Sequence, residues 1–115
     1  MGLSGSKEDN MAATNFVETA IHDKCVVVFS KTYCPYCKMA KAALDEEGAK
    51  YEVVELDKRS DGDAIQNALA QITGARTVPR VFIKGKCIGG GSETRDMQAS
   101  GELRKLLEEC GNALK

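Results

Sequence analysis

Two cysteines separated by two residues, shortly after a strongly apolar segment, constrain this chain more than any other feature of its sequence. The apolar segment, residues 25–29, is a continuous run rich in β-branched and aromatic residues, which predicts a strand buried on both faces. Cys34 and Cys37 follow after a short loop, and Pro35 stands between them. Proline favours the first position inside a helix because its missing N–H would be unpaired there anyway. The sequence therefore predicts a strand, a loop and then a helix that begins at the cysteine pair.

The position of the pair predicts two thiols with different roles. Cys34 should occupy the N-cap of the helix, where its sulfur faces free N–H groups and the positive end of the helix dipole. This position favours the thiolate, which is the nucleophilic form of cysteine. Cys37 lies on the same helical face, further into the helix. We therefore expect Cys34 to be an exposed nucleophile and Cys37 a buried resolving thiol.

A zinc site and two inert core cysteines are the alternatives for such a pair. Zinc normally needs four ligands, and no second pair has matching spacing, since Cys87 and Cys110 are far apart and His22 stands alone. The chain has five cysteines, an odd number, which form no dense disulfide framework. The first ten residues lack the apolar stretch of a secretory signal. We therefore expect a reducing compartment, the cytoplasm, and no bound metal.

Apolar periodicity predicts a single α/β domain. The patterns indicate helices from residue 13 to 21, after the cysteine pair to residue 48, from 65 to 74 and from 103 to 114. Strands are predicted at residues 25–29, 51–56, 80–84 and 86–88, the last two as a hairpin that turns at Gly85. The first two strands should be parallel because a helix joins them. We expect a four-stranded mixed sheet with helices on both faces, a mobile arm over residues 1–10 ahead of the domain 11–115, and a break in the last helix near Ser100 and Gly101.

The charge balance excludes several classes of function. Sixteen Lys and Arg face seventeen Asp and Glu, and this formal net charge of −1 gives no overall attraction for nucleic acid or an anionic membrane. No apolar run approaches the ~18 residues that a membrane span needs.

Met1 and Gly2 with Ser6 match the pattern for N-myristoylation. A single acyl chain would give only reversible membrane association, and small polar N-termini also match the pattern by chance.

The motif Cys34-Pro35-Tyr36-Cys37 resembles the active site of the dithiol glutaredoxins. Two further segments match the same family in the same order, Thr-Val-Pro at residues 77–79 and Gly-Gly-Gly-Ser-Glu at residues 89–93. The resemblance extends over residues 16–114. The chain does not resemble thioredoxin proper, because it has no Trp and Cys34 is not followed by Gly-Pro. It implies a thioredoxin fold, reduction of glutathione mixed disulfides and protein disulfides, and glutathione as both reductant and ligand.

The resemblance also implies a glutathione site around the cysteine pair. In the family, the proline that matches Pro79 follows a cis peptide bond, and the bend exposes backbone groups to the ligand. Ser92 is a good N-cap whose helix could hold the γ-glutamyl carboxylate, and Glu93, where Asp is commoner, would take the α-ammonium group. Lys31 and Gln66 match positions that hold the glycine carboxylate. The implied glutathione-binding residues are Lys31, Tyr36, Gln66, Arg76, Thr77, Val78, Pro79, Gly90, Gly91, Ser92 and Glu93.

Some relatives of the glutaredoxins instead dimerise around an iron–sulfur cluster held by the first cysteine and glutathione. Pro35 argues against a cluster here, because its ring stiffens the turn and removes an N–H that could hydrogen-bond a cluster sulfur. We therefore expect a colourless monomer that acts on glutathionylated proteins and protein disulfides.

The other three cysteines have a plainer interpretation. Free cysteine packs as a small apolar side chain, so Cys25 and Cys110 are expected in the core. A disulfide between them is the alternative if the closing helix folds back across the start of the first strand. Cys87, beside the glycine-rich segment, is interpreted as a partly exposed thiol open to glutathionylation.

Overall fold

The structure, a computed structural model, describes residues 7–111. Five α-helices and four strands follow one another in the order α-β-α-β-α-β-β-α-α along this part of the chain. The helices are Lys7–Asp23 (α1), Pro35–Glu46 (α2), Gly62–Thr73 (α3), Gly91–Ser100 (α4) and Glu102–Glu109 (α5); the strands are Val26–Ser30 (β1), Glu52–Glu55 (β2), Arg80–Ile83 (β3) and Lys86–Gly89 (β4). None of these helices is long and apolar enough to cross a membrane.

The four strands form one mixed sheet in the order β2-β1-β3-β4. Strand β1 is parallel to β2, with Ser30 beside Glu55, and antiparallel to β3. Strands β3 and β4 form the predicted hairpin, and both residues of its turn, Lys84 and Gly85, have positive φ angles of 55° and 80°. The predicted parallel pair and antiparallel hairpin are therefore confirmed.

Strand β1 lies at the centre of the molecule, and every one of its residues is buried. Successive side chains of a strand point to opposite faces, so β1 contributes to two cores. Val27 and Phe29 pack with helices α1 and α3, whereas Val26 and Val28 pack with α2 and α5. The continuous apolar run of β1 is thus explained by helices on both faces, and the predicted α/β fold is confirmed.

Two helix boundaries can be compared with the sequence prediction. Helix α1 begins at Lys7, so the segment 7–10 of the expected arm is helical. This segment contains neither glycine nor proline, and nothing in its composition stops the helix earlier. Residues 1–6, the rest of the expected arm and the myristoylation pattern, lie outside the described residues. The predicted break near Gly101 is confirmed, since α4 ends there with a φ angle of 88°.

A disulfide joins Cys25 and Cys110, whose Cα atoms are 5.8 Å apart. Cys25 immediately precedes β1, and Cys110 is the C-cap residue of α5. Both residues pack at the margin of the core on the α2 side of the sheet. The structure therefore contains the Cys25–Cys110 disulfide, which the sequence analysis left open as the alternative to simple packing of both cysteines in the core.

The disulfide should contribute strongly to stability because it links residues 85 positions apart. We expect Cys110→Ser to lower the free energy of unfolding by about 2–4 kcal/mol, as typical disulfides do by constraining the unfolded chain. Chemical denaturation without reductant measures this difference. Cys87→Ser is the matched control, since Cys87 is a free thiol. Equal stability of the oxidised wild type and Cys110→Ser would show that the bridge does not form in solution.

Candidate active site

Cys34 is the N-cap residue of α2 and follows the short loop that leaves β1. Its backbone is extended, with φ −89° and ψ 119°, and Pro35 occupies the start of the helix. The Cys37 N–H donates a hydrogen bond to the Cys34 sulfur over 3.2 Å. The predicted N-cap position is confirmed, and the residue that occupies it is half-buried rather than enclosed.

Cys37 has a different environment, since its side chain is fully buried. The Lys31 N–H donates to its sulfur over 3.4 Å. Burial, with a further contribution from the hydrogen bond with Cys34, raises the pKa of the Cys37 thiol to about 11. Cys37 is therefore a neutral thiol near neutral pH, as a hidden partner to Cys34 should be.

A second segment reaches Cys34 from the start of β3. The Val78–Pro79 peptide bond is cis, and the Cys34 thiol donates to the Val78 carbonyl oxygen over 3.7 Å. Pro79 is buried, and its carbonyl oxygen accepts a hydrogen bond from Arg80 Nε at 2.9 Å. The bend therefore lies directly opposite the reactive sulfur, with Val78 half-exposed beside it.

The third segment is the start of α4, which packs against the start of α2. Gly91 is buried there, and a Cβ atom at this position would overlap the carbonyl oxygen of Tyr36. Glycine is therefore required for the close approach of the two backbones. The contact places the N-terminal amides of α4 beside the first turn of the helix that carries Cys34.

The expected cap of α4 needs a correction. Gly90, not Ser92, is the N-cap, and Ser92 is exposed at the second helical position. Glu93 accounts for the earlier start, because its Oε1 accepts the Gly90 N–H over 2.8 Å. This hydrogen bond is the main cause that lowers the pKa of the Glu93 carboxyl group. Glu93 thus completes half of a capping box rather than standing free.

The remaining predicted ligand residues lie on α3, in the segment that follows it, or beside Cys34. Gln66 is buried and donates from Nε2 to the Arg76 carbonyl oxygen at 2.6 Å. The exposed Arg76 side chain donates from Nε to Asn67 over 2.9 Å. Both residues therefore fasten the segment before Pro79 to α3, and Thr77 is exposed within that segment. Lys31 and Tyr36 flank Cys34 in sequence and are half-buried and 55% exposed, respectively.

Sequence reasoning missed two residues that shape the site. Arg80 donates to the carbonyl oxygen of Pro79. Asp57 accepts hydrogen bonds from Thr32, in the loop that precedes Cys34. The signal for Asp57 was available, because the carboxyl ends of two parallel strands share one edge of a sheet, and Asp57 follows the second strand.

Taken together, the cis-proline bend, the N-cap cysteine and the sheet order define a dithiol oxidoreductase of the thioredoxin fold. A family model described as Glutaredoxin matches residues 26–88. A glutaredoxin from Ricinus communis is 56% identical over 101 residues, which cover 88% of this chain and 98% of the relative. Glutaredoxin-C4 from Arabidopsis thaliana is 53% identical over 98 residues, covering 85% of this chain and 73% of the relative.

Solved structures give the same assignment. A buckwheat glutaredoxin–glutathione complex superposes with a TM-score of 0.89 at 47% identity, covering 92% of this chain and 96% of that one. Oxidised glutaredoxin 2 from Chlamydomonas reinhardtii gives 0.85 at 51% identity, covering 89% and 96%. The chain belongs to the glutaredoxin family. It is a glutathione-dependent thiol–disulfide oxidoreductase with a dithiol active site.

Two other relatives have names that specify a compartment. They are Glutaredoxin-C4, chloroplastic, from Oryza sativa subsp. japonica, 58% identical over 86 residues, and Glutaredoxin-2, mitochondrial, from Homo sapiens, 42% identical over 109 residues. The cytoplasmic location expected from the sequence therefore stays a prediction.

The contrast between the two thiols predicts their order of alkylation. At about pH 6, iodoacetamide should modify Cys34 well before Cys37, because Cys34 is half-buried at the start of α2 whereas Cys37 is fully buried and keeps its proton. Since the pKa of Cys37 is raised to about 11, its modification should become rapid only as the pH approaches that value. Tandem mass spectrometry of the peptide that contains both residues measures the two rates. A fast phase that survives in Cys34→Ser would contradict the assignment.

Proposed function

We propose that Cys34 is the nucleophile and Cys37 the resolving thiol in the reduction of glutathione mixed disulfides and protein disulfides. The observation that carries this proposal is the asymmetry of the pair. The Cys34 sulfur accepts an N–H bond at the start of α2 and is reachable from solvent. The Cys37 sulfur is fully buried, and its raised pKa keeps its proton in place.

The first step breaks the disulfide of the substrate. The Cys34 thiolate attacks the glutathione sulfur of a mixed disulfide, a new sulfur–sulfur bond forms, and the target protein departs as a thiolate that takes up a proton. The second step has two routes. A glutathione thiolate attacks the glutathione sulfur of the mixed disulfide on Cys34, glutathione disulfide departs, and Cys34 is released as a thiolate. Alternatively, Cys37 loses its proton and attacks the Cys34 sulfur, and the Cys34–Cys37 disulfide forms while glutathione departs as a thiolate that takes up a proton. Two further glutathione molecules then reduce this disulfide.

Three segments support a glutathione site beside Cys34. The backbone of Val78, in the cis-proline bend, would pair with the ligand as an added strand does. Lys31 would attract the glycine carboxylate, helped by the segment that Gln66 and Arg76 hold in place. The N-terminal amides of α4 would hold the γ-glutamyl carboxylate.

The α4 end of this site has two particular features. Gly90 and Gly91 would line this end of the site with backbone alone, because Arg80 and Tyr36 already occupy the space beside their Cα atoms. Glu93 keeps one carboxylate oxygen outside its bond to Gly90, and this oxygen would meet the α-ammonium group of glutathione. Thr77, Pro79 and Ser92 complete the proposed lining.

The partners and the state of the protein are also proposals. The enzyme would act as a cytosolic monomer on glutathionylated proteins and protein disulfides, without a metal or an iron–sulfur cluster. Pro35 at the helix start supports the cluster-free form, since it supplies no N–H at this point of the turn.

Replacing each thiol in turn tests the proposed roles. Cys34→Ser should abolish both deglutathionylation and protein-disulfide reduction, because no other described sulfur occupies a helix N-cap. Cys37→Ser should keep most deglutathionylation, since a second glutathione can complete that cycle. The same variant should slow reduction of protein disulfides, which benefits from a second thiol at close range.

Both activities are measured with glutathione reductase as the coupling enzyme, and thermal unfolding verifies that each variant is folded. Cys87→Ser is the matched control and should keep both activities. If folded Cys37→Ser lost deglutathionylation as completely as Cys34→Ser, the assignment of the two roles would be wrong.

Lys31 should contribute charge attraction to glutathione. Lys31→Ala should weaken glutathione-dependent turnover modestly, with a greater loss at low salt than at high salt, because ions screen a partly solvated charge pair. Lys24→Ala removes the same charge at the opposite end of β1 and serves as the control. Steady-state kinetics at two ionic strengths measures the difference, and identical kinetics for Lys31→Ala and the wild type would exclude this role.

A further inference from the structure

The loop 31–33 connects β1 to α2 and touches both active-site cysteines. The Lys31 N–H donates to the Cys37 sulfur over 3.4 Å, and the Lys31 carbonyl oxygen accepts the Cys34 N–H over 3.1 Å. The next two residues, Thr32 and Tyr33, are exposed. A loop with so little burial of its own gains order from contacts with other segments of the chain.

Asp57 supplies such contacts from a different part of the chain. Its Oδ1 accepts the Thr32 N–H over 3.0 Å, and its Oδ2 accepts the Thr32 hydroxyl hydrogen. Both carboxylate oxygens therefore bind a single residue of the loop, 25 positions away in sequence. The hydrogen bond from the Thr32 side chain is the main cause that lowers the pKa of Asp57, as expected for a carboxylate that only accepts.

The framework that holds Asp57 is itself well fixed. Asp57 lies in a short 3-10 turn, Leu56–Lys58, directly after β2. Leu56 is only 2% exposed, and Gly62 packs so closely on the Leu56 carbonyl group that a Cβ atom would overlap it. Because β1 and β2 are parallel, with Ser30 beside Glu55, this turn lies at the same edge of the sheet as the loop 31–33.

We propose that Asp57 is a positioning residue of the dithiol site, which holds the loop 31–33 through Thr32. It thereby fixes the contact of the Lys31 backbone with Cys37 and the position from which the Lys31 side chain meets glutathione. The second part of this role rests on the proposed function of Lys31. Asp57 touches neither the substrate nor the reacting sulfurs in this role, so its effect passes through Thr32.

The direction in which glutathione binding changes when the Asp57 carboxylate is removed distinguishes a positioning role from a direct effect of its charge. Glutathione is anionic at neutral pH, so removing the negative charge of Asp57 should by itself strengthen its attraction to the site. Loss of the two bonds to Thr32 should have the opposite effect, because a loosened loop misplaces Lys31. A weaker interaction with glutathione after Asp57→Ala therefore indicates positioning.

Kinetics of four variants test the proposal. Asp57→Ala should raise the KM for glutathione by about three- to tenfold, as a small misplacement of a binding group does. Asp57→Asn should show a smaller rise, because its amide oxygen still accepts the Thr32 N–H. Thr32→Val should also show a smaller rise, because it loses only the hydroxyl bond. Asp61→Ala is the charge-matched control, since its carboxylate pairs with Arg59 and not with the loop, and should leave the KM unchanged.

A second measurement, the rate of closure of the disulfide, tests the role of Asp57 independently of the proposed role of the Lys31 side chain. Enzyme carrying glutathione on Cys34 is prepared, and the rate of closure to the Cys34–Cys37 disulfide is followed without free glutathione. Asp57→Ala should slow closure about threefold, because Cys37 loses the fixed Lys31 N–H. Lys31→Ala keeps that backbone contact and should slow closure less than Asp57→Ala does. Asp61→Ala leaves the bonds to Thr32 intact and should close at the wild-type rate.

The outcomes are distinct. If Lys31→Ala leaves the KM unchanged while Asp57→Ala slows closure, the proposed role of Lys31 fails and the positioning role of Asp57 stands. If Asp57→Ala is folded by its thermal unfolding and keeps the wild-type KM and closure rate, the positioning role is overturned. If Asp57→Ala does not fold, Thr32→Val decides in the same way, with wild-type values overturning the proposal.

Discussion

The hydrogen bond from the Cys37 N–H to the Cys34 sulfur is the interaction on which the rest of the site depends. It exists because α2 begins at Pro35, which leaves Cys34 at the N-cap. Helix α2 is in turn held by apolar residues on its inner face, including Ala40 and Leu44, which pack on β1. The reactivity of one sulfur is therefore anchored in the burial of a whole helix rather than in a local cluster of charges.

Sheet topology explains why three distant segments meet at that sulfur. Strand β3 is antiparallel to β1, with Arg80 beside Phe29, so β3 begins at the edge where β1 ends. The cis-proline bend precedes β3 and so falls opposite Cys34. Strand β4 returns to the same edge, and the close packing of Gly91 then brings the start of α4 to α2. The strand order thus brings together the three backbone segments of the proposed glutathione site.

Much of this arrangement could be predicted because its causes are local in sequence. A continuous apolar run made β1 a central strand, Pro35 marked a helix start, and Gly101 marked a helix break. The cap of α4 was misplaced by two residues because a bond between Glu93 and the Gly90 backbone decided it. Helix caps of this kind depend on side-chain geometry that residue preferences do not determine.

Contacts between remote segments were the hardest to predict. The Cys25–Cys110 pairing depends on where α5 ends relative to the start of β1, a separation that periodicity does not report. The bonds between Asp57 and Thr32 depend on two loops that meet only once β1 and β2 have paired. Residue type decided neither contact, since cysteine suits a core as well as a disulfide and aspartate suits a solvated turn.

The contact of Gly91 with Tyr36 has a consequence for the electrostatic field of the site. It brings the starts of two helices together, and each helix start has a partial positive charge. Like poles at close range repel, so the apposition is more favourable when negative charge lies between them. The Glu93 carboxylate meets part of this need at the start of α4. A thiolate at Cys34 and the carboxylates of a bound peptide would supply the remaining negative charge. The site between the two helix starts therefore favours anions.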